Sequence, residues 1–267
     1  MTVPLFAGRW GVAPPAGTVS GVDAPEVNRH IPFSATFNFR DVGGYTGHAG
    51  RTVRSGRLYR SDSLHRLGET DRAAFSALGV RTVIDLRRPY EVERDGRVPD
   101  WDGLTWRHIH PEHAEWDEKP HQPGTDLARY LADRYADLAQ TGTAGLAEAV
   151  GLIADSTSAP VVVHCVAGKD RTGIVCALTL AVLGVADDVI AEDYALSSVA
   201  SRRFHDWVVA STQSGVDVPP PFLASPPDAM RLFLAELRRG HGSVEGYLRH
   251  AGVTDAQLAG LRDHLLA

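Results

Sequence analysis

Cysteine is scarce in this sequence: Cys165 and Cys176 are the only two among 267 residues. Two cysteines are too few for the disulfide framework of a secreted scaffold, and they suit a reducing compartment. The first 17 residues lack a basic region followed by an apolar run, so no signal peptide is predicted. The longest apolar stretch, residues 173–186, is too short to cross a bilayer. We therefore expect a cytoplasmic protein without an integral membrane segment, and secretion without a signal peptide stays open.

Lysine is equally scarce, because only Lys119 and Lys169 stand beside 25 arginines. With 27 basic and 33 acidic residues the formal net charge is −6, which argues against a nucleic-acid partner. The length fits one large α/β domain. Lys169 lies inside the loop described below, where an ammonium group has a chemical use.

Short apolar runs alternate with helical patterns along the chain. Residues 80–86 and 160–163 form runs typical of buried strands, and a glycine-rich segment leads into a further strand at residues 58–59. Apolar spacing and capping residues predict helices over residues 70–78, 126–138, 172–183 and 187–196, and a final helix that opens at residues 254–257. This alternation predicts an α/β fold with a mainly parallel central sheet flanked by helices.

The run at residues 160–163 leads into His-Cys-Val-Ala-Gly-Lys-Asp-Arg-Thr-Gly at residues 164–173. Five residues separate Cys165 from Arg171, and a loop of this length can curl so that its backbone N–H groups point inward at a phosphate. The N-terminus of the following helix adds its dipole, and the planar fork of Arg171 can hold two phosphate oxygens. The spacing therefore predicts a phosphate-binding loop.

The same field favours the thiolate form of Cys165, which is the form that attacks phosphorus. Thr172 is placed to donate a hydrogen bond to the sulfur, and Gly168 permits the tight curl. A buried cysteine after a strand is usually a core residue, but the whole pattern together indicates nucleophilic catalysis. A Walker phosphate loop is excluded because Val163 stands where that motif needs glycine.

The loop resembles the signature of cysteine-based protein tyrosine phosphatases. Its Lys169-Asp170-Arg171 succession is similar to an atypical bacterial group, the tyrosine and lipid phosphatases related to mycobacterial phosphatase B. The resemblance covers most of the chain from about Phe37 onward. It extends to residues 38–44, 58–61, 85–87 with Glu91, and 246–262.

The resemblance implies a cysteine-phosphatase fold with Cys165 at the carboxyl edge of the sheet. It implies hydrolysis of phosphotyrosine-type phosphomonoesters through a phosphocysteine. Phosphoserine, phosphothreonine and phosphoinositides are further candidate substrates. The expected partners are therefore phosphoproteins or phosphoinositides. Arg171 is expected to act in catalysis, and no cofactor or metal is expected. The substrate phosphate is expected to bind at Val166, Ala167, Gly168, Lys169, Asp170 and Arg171.

The resemblance also implies that Asp170 serves the leaving group, since the chain lacks the Trp-Pro-Asp tripeptide of better-known tyrosine phosphatases. The alternative is a structural carboxylate that pairs with Lys169 or with loop N–H groups. Asp85, at the end of a predicted strand, is the second candidate for the acid, or it only orients Arg171.

Other polar residues near the loop have simpler interpretations. Arg87 and Glu91 are four apart, which favours a helical ion pair. Arg40 with Asp41 is expected to buttress a glycine-rich turn, although Arg40 or Arg60 would also widen the positive field. Cys176 is assigned to core packing, with a disulfide to Cys165 as the minor alternative. The three histidines are assigned to a loop that binds no metal: His108, His110 and His113.

Three regions follow from these patterns. Residues 1–31 lack periodicity and are predicted as an irregular arm, and residues 32–267 as the phosphatase domain. Within the latter, residues 201–239 carry two apolar helical faces joined by a proline-rich loop at residues 211–227, which predicts a helical lid over the phosphate loop. The alternative is that both helices extend the core.

Two other functions fit parts of the pattern. A sulfurtransferase of the rhodanese type also uses a cysteine in an anion-binding loop, but its loop usually lacks the continuation seen at residues 171–173. A phosphate-binding module without catalysis usually loses the nucleophile or the arginine, and this chain keeps both. Assays with thiosulfate and with an aryl phosphate distinguish these functions from a phosphatase.

Overall fold

The computed structural model describes residues 29–115, 118–212 and 220–267. The arm predicted for residues 1–31 therefore lies almost wholly outside the described residues; its last three residues pair with the chain at 39–41 through backbone hydrogen bonds. The strands in the described ranges are β1 Arg40–Asp41, β2 Leu58–Ser61, β3 Thr82–Asp85, β4 Thr105–His108 and β5 Val161–His164. The α-helices are α1 Glu69–Ala77, α2 Pro89–Asp95, α3 Leu127–Thr141, α4 Thr143–Ala154, α5 Asp170–Val182, α6 Asp187–Ala195, α7 Ser197–Thr212, α8 Pro220–Leu223, α9 Pro227–His241, α10 Val244–His250 and α11 Asp255–Leu265.

The strands form one sheet in the order β1-β2-β5-β3-β4. β1 is antiparallel to β2, and the other neighbours run parallel. The register places Ser61, His164 and Asp85 side by side, so three neighbouring strands end at one edge. Ligand sites of parallel sheets lie at this carboxyl edge, and Cys165 is the residue that follows His164 there.

Side chains of β5 alternate between two apolar clusters. Val161 and Val163 belong to the larger cluster, which holds residues of α3 to α6 and α9 to α11. Val162 belongs to the smaller cluster, with Phe39 and Phe75. Both faces of the central strand are thus covered, as parallel strands require. The predicted α/β fold with a mainly parallel sheet flanked by helices is confirmed.

The predicted helices correspond to α1, α3, α5, α6 and α11. α5 begins at Asp170, two residues earlier than predicted, so the end of the phosphate loop is already helical. The capping box at the start of α11 forms as predicted between Thr254 and Gln257. No helix in the described ranges is both long and apolar enough to cross a membrane.

The lid prediction is wrong for the second of its two helices. Met230, Phe233 and Leu234 on α9 are fully buried in the larger core cluster, and α9 packs against α3 and α6. An amphipathic face is buried wherever a neighbouring surface accepts it, and here that surface is the core. The loop predicted for residues 211–227 is also partly wrong, because residues 220–223 form α8; residues 213–219 lie outside the described residues.

Candidate active site

The loop between β5 and α5 makes its tightest turn at Gly168. This residue has φ +64°, a region that L side chains rarely adopt. A Cβ atom there would lie 2.3 Å from the carbonyl oxygen of Ser61, so any side chain would collide with the end of β2. The glycine therefore lets the loop curl closely against the neighbouring strand.

The carbonyl oxygens of loop residues 166–168 are all held from outside. The backbone N–H of Ser63 donates to the carbonyl oxygen of Val166 at 2.9 Å. The side-chain amide of Asn38 donates to the carbonyl oxygens of Ala167 and Gly168 at 2.9 and 3.1 Å. Arg60 also donates to the carbonyl oxygen of Gly168 at 2.8 Å. The described part of the chain offers no acceptor to the N–H groups of residues 166–168. This arrangement suits a nest of N–H donors for an anion.

A buried carboxylate, Asp193 on α6, supports this loop from beneath. It pairs with Arg60 at 2.5 Å and with Arg40 at 3.0 Å, and it accepts from the hydroxyl of Tyr45 at 3.1 Å. Although burial raises the pKa of Asp193, the two guanidinium groups outweigh it and hold that pKa well below its ordinary value. Asp193 carries one negative charge against two guanidinium groups, so Arg40, Arg60 and Asp193 together keep a net charge of +1 close to the loop. This agrees with the expectation that Arg40 or Arg60 widens the positive field of the site.

The expected support of the glycine-rich turn by Arg40 with Asp41 is half correct. Asp41 accepts from the backbone N–H groups of Gly43 and Gly56, each at 2.7 Å, and so holds the turn without Arg40. Arg40 turns the other way, to Asp193. The sequence analysis did not identify Asp193. Its position beside Tyr194, on a helix with a buried face, was a signal that could have indicated a buried carboxylate.

Arg171 is held in place by Glu91 on α2. Its Nη1 lies 2.6 Å from one carboxylate oxygen of Glu91 and its Nη2 lies 3.2 Å from the other, a bidentate pair. Burial raises the pKa of Glu91, but the hydrogen bonds and charge of Arg171 outweigh it and lower that pKa below its ordinary value. Glu91 thus fixes the plane of the Arg171 fork beside Cys165. The predicted ion pair between Arg87 and Glu91 is wrong.

Arg87 pairs instead with Asp85, and both side chains are fully buried. Arg87 donates to the two carboxylate oxygens at 2.9 and 2.7 Å, and Nε2 of His164 lies 3.6 Å from Asp85. Burial raises the pKa of Asp85, but His164 and Arg87 outweigh it and hold that pKa well below its ordinary value. A carboxyl group that stays ionised is a poor proton donor, and this one orients Arg87 rather than Arg171. The auxiliary role of Asp85 stays a prediction.

Asp170 and Lys169 lie at the start of α5, where Oδ1 of Asp170 is 3.6 Å from Nζ of Lys169, and each side chain also has a partner elsewhere. Oδ1 of Asp170 accepts from the hydroxyl of Tyr135 at 2.5 Å. Lys169 is only 1% exposed, and its ammonium group donates to the carbonyl oxygens of Pro221 and Ala224, the latter at 3.0 Å. In this conformation Lys169 binds α8 and the residue after it, which the sequence did not predict.

Both cysteines are free thiols. Cys165 is buried at the carboxyl edge of the sheet, while Cys176 lies in the core, where burial raises its pKa to about 11. Thr172 is also fully buried, and its hydroxyl has no hydrogen-bond partner among the described residues. The predicted hydrogen bond from Thr172 to the sulfur of Cys165 is therefore not formed in this conformation.

Two of the three histidines considered for a metal site, His108 and His113, bind backbone carbonyls. Nε2 of His108 lies 2.8 Å from the carbonyl oxygen of Arg87, and Nδ1 of His113 lies 2.7 Å from that of Pro111. Burial lowers the pKa of His113 to about 4, so its ring is neutral at physiological pH. Within the described ranges no group of three or more His, Cys, Asp or Glu side chains is arranged to hold a metal ion.

A cavity of about 400 Å³ opens beside the phosphate loop. Asp170 and Asp62 are the acidic side chains in its wall. The rest of the lining is mostly apolar and comes from the loop, the segment before β1, and helices α7 and α8: Val166, Ala167, Phe37, Ala200, Phe204, Phe222 and Leu223. The cavity therefore adjoins both the phosphate loop and Asp170.

Comparison with known proteins agrees with this geometry. A family model described as the tyrosine phosphatase family matches residues 31–267. The chain is 32% identical over 286 residues to the triple specificity protein phosphatase PtpB of Mycobacterium tuberculosis, which covers 89% of this chain and 99% of that protein. It is 28% identical over 216 residues to a tyrosine-protein phosphatase of Nostoc commune, and this match covers 75% of this chain and 71% of that protein. A crystal structure of P. aeruginosa TpbA is 18% identical, and the match covers 69% of this chain and 89% of TpbA with a TM-score of 0.31. A likeness of this size supports no conclusion about this chain.

Proposed function

Because this chain belongs to the tyrosine phosphatase family and is a cysteine-based phosphatase, we propose that it hydrolyses phosphotyrosine-type phosphomonoesters through a phosphocysteine on Cys165. The geometry of the phosphate loop and of Arg171 carries the proposal. The carbonyl oxygens of residues 166–168 are held from outside, and Glu91 fixes the Arg171 fork beside the thiol. Inward N–H groups and the guanidinium then surround three phosphate oxygens as charge develops on them.

The reaction proceeds in two displacements. The sulfur of Cys165 attacks phosphorus as the bond to the leaving oxygen breaks, and Asp170 gives that oxygen its proton. A water molecule then attacks the phosphocysteine, its proton passes to Asp170, and the S–P bond breaks to release phosphate. Arg171 and the loop N–H groups hold the phosphate oxygens through both steps.

The substrate range extends to phosphoserine, phosphothreonine and phosphoinositides. The PtpB relative is a triple specificity protein phosphatase, which supports this range. Lys169 is the second cation for a neighbouring phosphate, but its ammonium group is bound to carbonyls around α8 in the described conformation. Helices α7 and α8, residues 197–212 and 220–223, therefore act as the lid, and Lys169 reaches a substrate only when α8 moves away.

Substitution of the nucleophile tests this function. Cys165→Ser abolishes release of phosphate from an aryl phosphate and from a phosphotyrosine peptide, while the protein stays folded. Cys176→Ala, which changes the other buried thiol, keeps most of the activity. Rapid acid quench of the parent, followed by mass spectrometry, detects a phosphate adduct on the peptide that contains Cys165. Activity of Cys165→Ser near that of the parent would overturn the mechanism, and turnover of thiosulfate without phosphatase activity would favour a sulfurtransferase.

The cellular location is also part of the proposal. Two free thiols and no disulfide among the described residues support a reducing compartment, and hence the cytoplasm. Fractionation of cells that express the full chain tests this assignment. Recovery of the protein mainly in the medium would favour secretion.

A further inference from the structure

Two fully buried tyrosine hydroxyls lie behind the phosphate loop. Tyr135 on α3 and Tyr194 on α6 are 0% and 1% exposed, and their hydroxyl oxygens are 2.5 Å apart. The hydroxyl of Tyr135 also donates to Oδ1 of Asp170 at 2.5 Å. Since that proton is directed at Asp170, Tyr194 is the donor between the two tyrosines. A chain of hydrogen bonds therefore runs from the core to the first residue of α5.

Packing alone does not explain these hydroxyls. The ring of Tyr135 packs edge-on against Tyr194 and against Phe233, each with ring centroids 6.0 Å apart. Phenylalanine would fill the same space without removing a polar group from water. Burial and the negative charge of Asp170 raise the pKa of Tyr135 well above its ordinary value, so its hydroxyl stays a donor at physiological pH.

The hydrogen bond from Tyr135 makes the two oxygens of Asp170 unequal. Oδ1 is held by Tyr135 and lies 3.6 Å from Nζ of Lys169. Oδ2 has no hydrogen-bond partner in the part of the chain that the structure describes. The side chain of Asp170 is 22% exposed and lines the cavity beside the loop. One oxygen is anchored to the core, and the other is open to a reacting group.

We propose that Tyr135, held in turn by Tyr194, is a positioning residue for the phosphatase reaction. This inference rests on the proposed function, because it takes Asp170 as the group that transfers the proton. With Oδ1 anchored, Oδ2 gives its proton to the leaving oxygen as the P–O bond breaks. The same oxygen then takes a proton from the attacking water as the S–P bond breaks, and Tyr135 keeps its own proton throughout.

The test compares leaving groups. Tyr135→Phe removes only the hydroxyl, and we expect kcat/KM for phenyl phosphate to fall about tenfold because a misplaced acid transfers its proton less often. For 4-nitrophenyl phosphate, whose leaving group needs little protonation, we expect a loss of less than about twofold. In the Asp170→Asn background, Tyr135→Phe should cause no further loss beyond about twofold, since the anchored group is already disabled.

A second buried tyrosine provides the control. The hydroxyl of Tyr247 on α10 also donates one hydrogen bond, to the carbonyl oxygen of Ala139 at 2.8 Å, and has no contact with the loop. Tyr247→Phe should lower stability without any dependence of kcat/KM on the leaving group. A dependence in Tyr247→Phe equal to that in Tyr135→Phe would assign the effect to general loosening and overturn the proposal.

The remaining outcomes separate this inference from the proposed function. If Asp170→Asn slows both substrates equally, the acid role of Asp170 is wrong. Two outcomes would show that only the positioning role is wrong. In the first, the loss of kcat/KM depends on the leaving group in Asp170→Asn but not in Tyr135→Phe. In the second, the losses of kcat/KM in the two single variants multiply in the double variant. Should Tyr135→Phe fail to fold by circular dichroism, Tyr194→Phe carries the test, because it frees the Tyr135 hydroxyl to rotate. Equal losses on both substrates in Tyr194→Phe would then overturn the positioning role.

Discussion

The ammonium group of Lys169 donates a hydrogen bond to the carbonyl oxygen of Ala224, 3.0 Å away and one residue beyond α8. The carbonyl oxygen of Pro221, inside α8, accepts from the same group. Carbonyls at the end of a helix lack partners within the helix, and a cation there is stabilising. The phosphate loop is thereby tied to the short helix beside it.

Lys169→Ala should loosen this connection and expose the thiol of Cys165. Hydrogen bonds to a charged group contribute about 1.5–3 kcal/mol each, so we expect peroxide to oxidise Cys165 about tenfold faster or more. Mass spectrometry of the peptide that contains Cys165 measures the rate independently of activity. Lys119→Ala is the matched control, because the ammonium group of Lys119 forms an exposed ion pair with Asp137. Equal oxidation rates in both variants and the parent would show that α8 does not protect the thiol.

The pair of Arg171 with Glu91 predicts a graded loss of activity. Arg171→Lys keeps the charge but loses the fork, and we expect kcat to fall about 10²-fold or more. Glu91→Gln leaves the fork in place but weakens its anchor, so a smaller loss of roughly tenfold is expected. Glu69→Gln, in an exposed pair with Arg72 on α1, should leave kcat unchanged. Retention of most of kcat by Arg171→Lys would contradict the fork argument.

Local signals allowed the fold and the phosphate loop to be predicted. The apolar runs, the caps and the spacing from Cys165 to Arg171 all act within a few residues, so they can be identified without knowledge of the tertiary structure. Partners across the chain could not be assigned in this way. Glu91 and Arg171 are 80 residues apart, and nothing local indicates that they meet.

The error at Arg87 has a specific physical cause. Spacing by four residues brings side chains together only inside a helix. α2 begins at Pro89, so Arg87 lies before the helix and turns back to Asp85. Glu91 sits in the first turn, where it also accepts from the backbone N–H of Arg88. The pattern was correct for a helix, but the helix begins too late for the pair to form.

The burial of Asp193 predicts a strong dependence of stability on its charge. Asp193→Asn leaves Arg40 and Arg60 buried without a counter-charge, and we expect a loss of about 3–5 kcal/mol in the free energy of unfolding. Urea titration at neutral pH measures this loss. Asp188→Asn is the control, since Asp188 pairs with Arg231 at the surface and should change stability by less than about 1 kcal/mol.

The lowered pKa of Asp193 also fixes the direction of its pH dependence. Its contribution is present above the unfolded pKa of an aspartate, about 4, and is lost as the pH falls toward the lower folded pKa. The difference in unfolding free energy between the parent and Asp193→Asn should therefore shrink in acid. A difference that is constant from pH 7 to pH 3 would contradict the ion-pair account.

Asp62, at the end of β2, predicts the opposite pH dependence. Its carboxylate accepts from the backbone N–H groups of Phe37 and Asn38 at 3.0 Å and from Arg66 at 3.3 Å. Burial nevertheless outweighs these contacts and raises the pKa of Asp62 to about 6, against an ordinary value of 3.8. Between these two values the folded protein holds a proton that the unfolded chain has released, so stability rises as the pH falls.

Asp62→Asn removes this titration and allows it to be measured. A shift of about two pKa units corresponds to about 3 kcal/mol. We therefore expect the unfolding free energy of the parent to gain about 3 kcal/mol relative to Asp62→Asn between pH 8 and pH 4. Urea titration of both proteins at each pH isolates Asp62, because every other group titrates equally in the two. A difference that stays constant, or that shrinks toward pH 4, would mean that the hydrogen bonds from Phe37 and Asn38 stabilise the ionised carboxylate more than burial destabilises it.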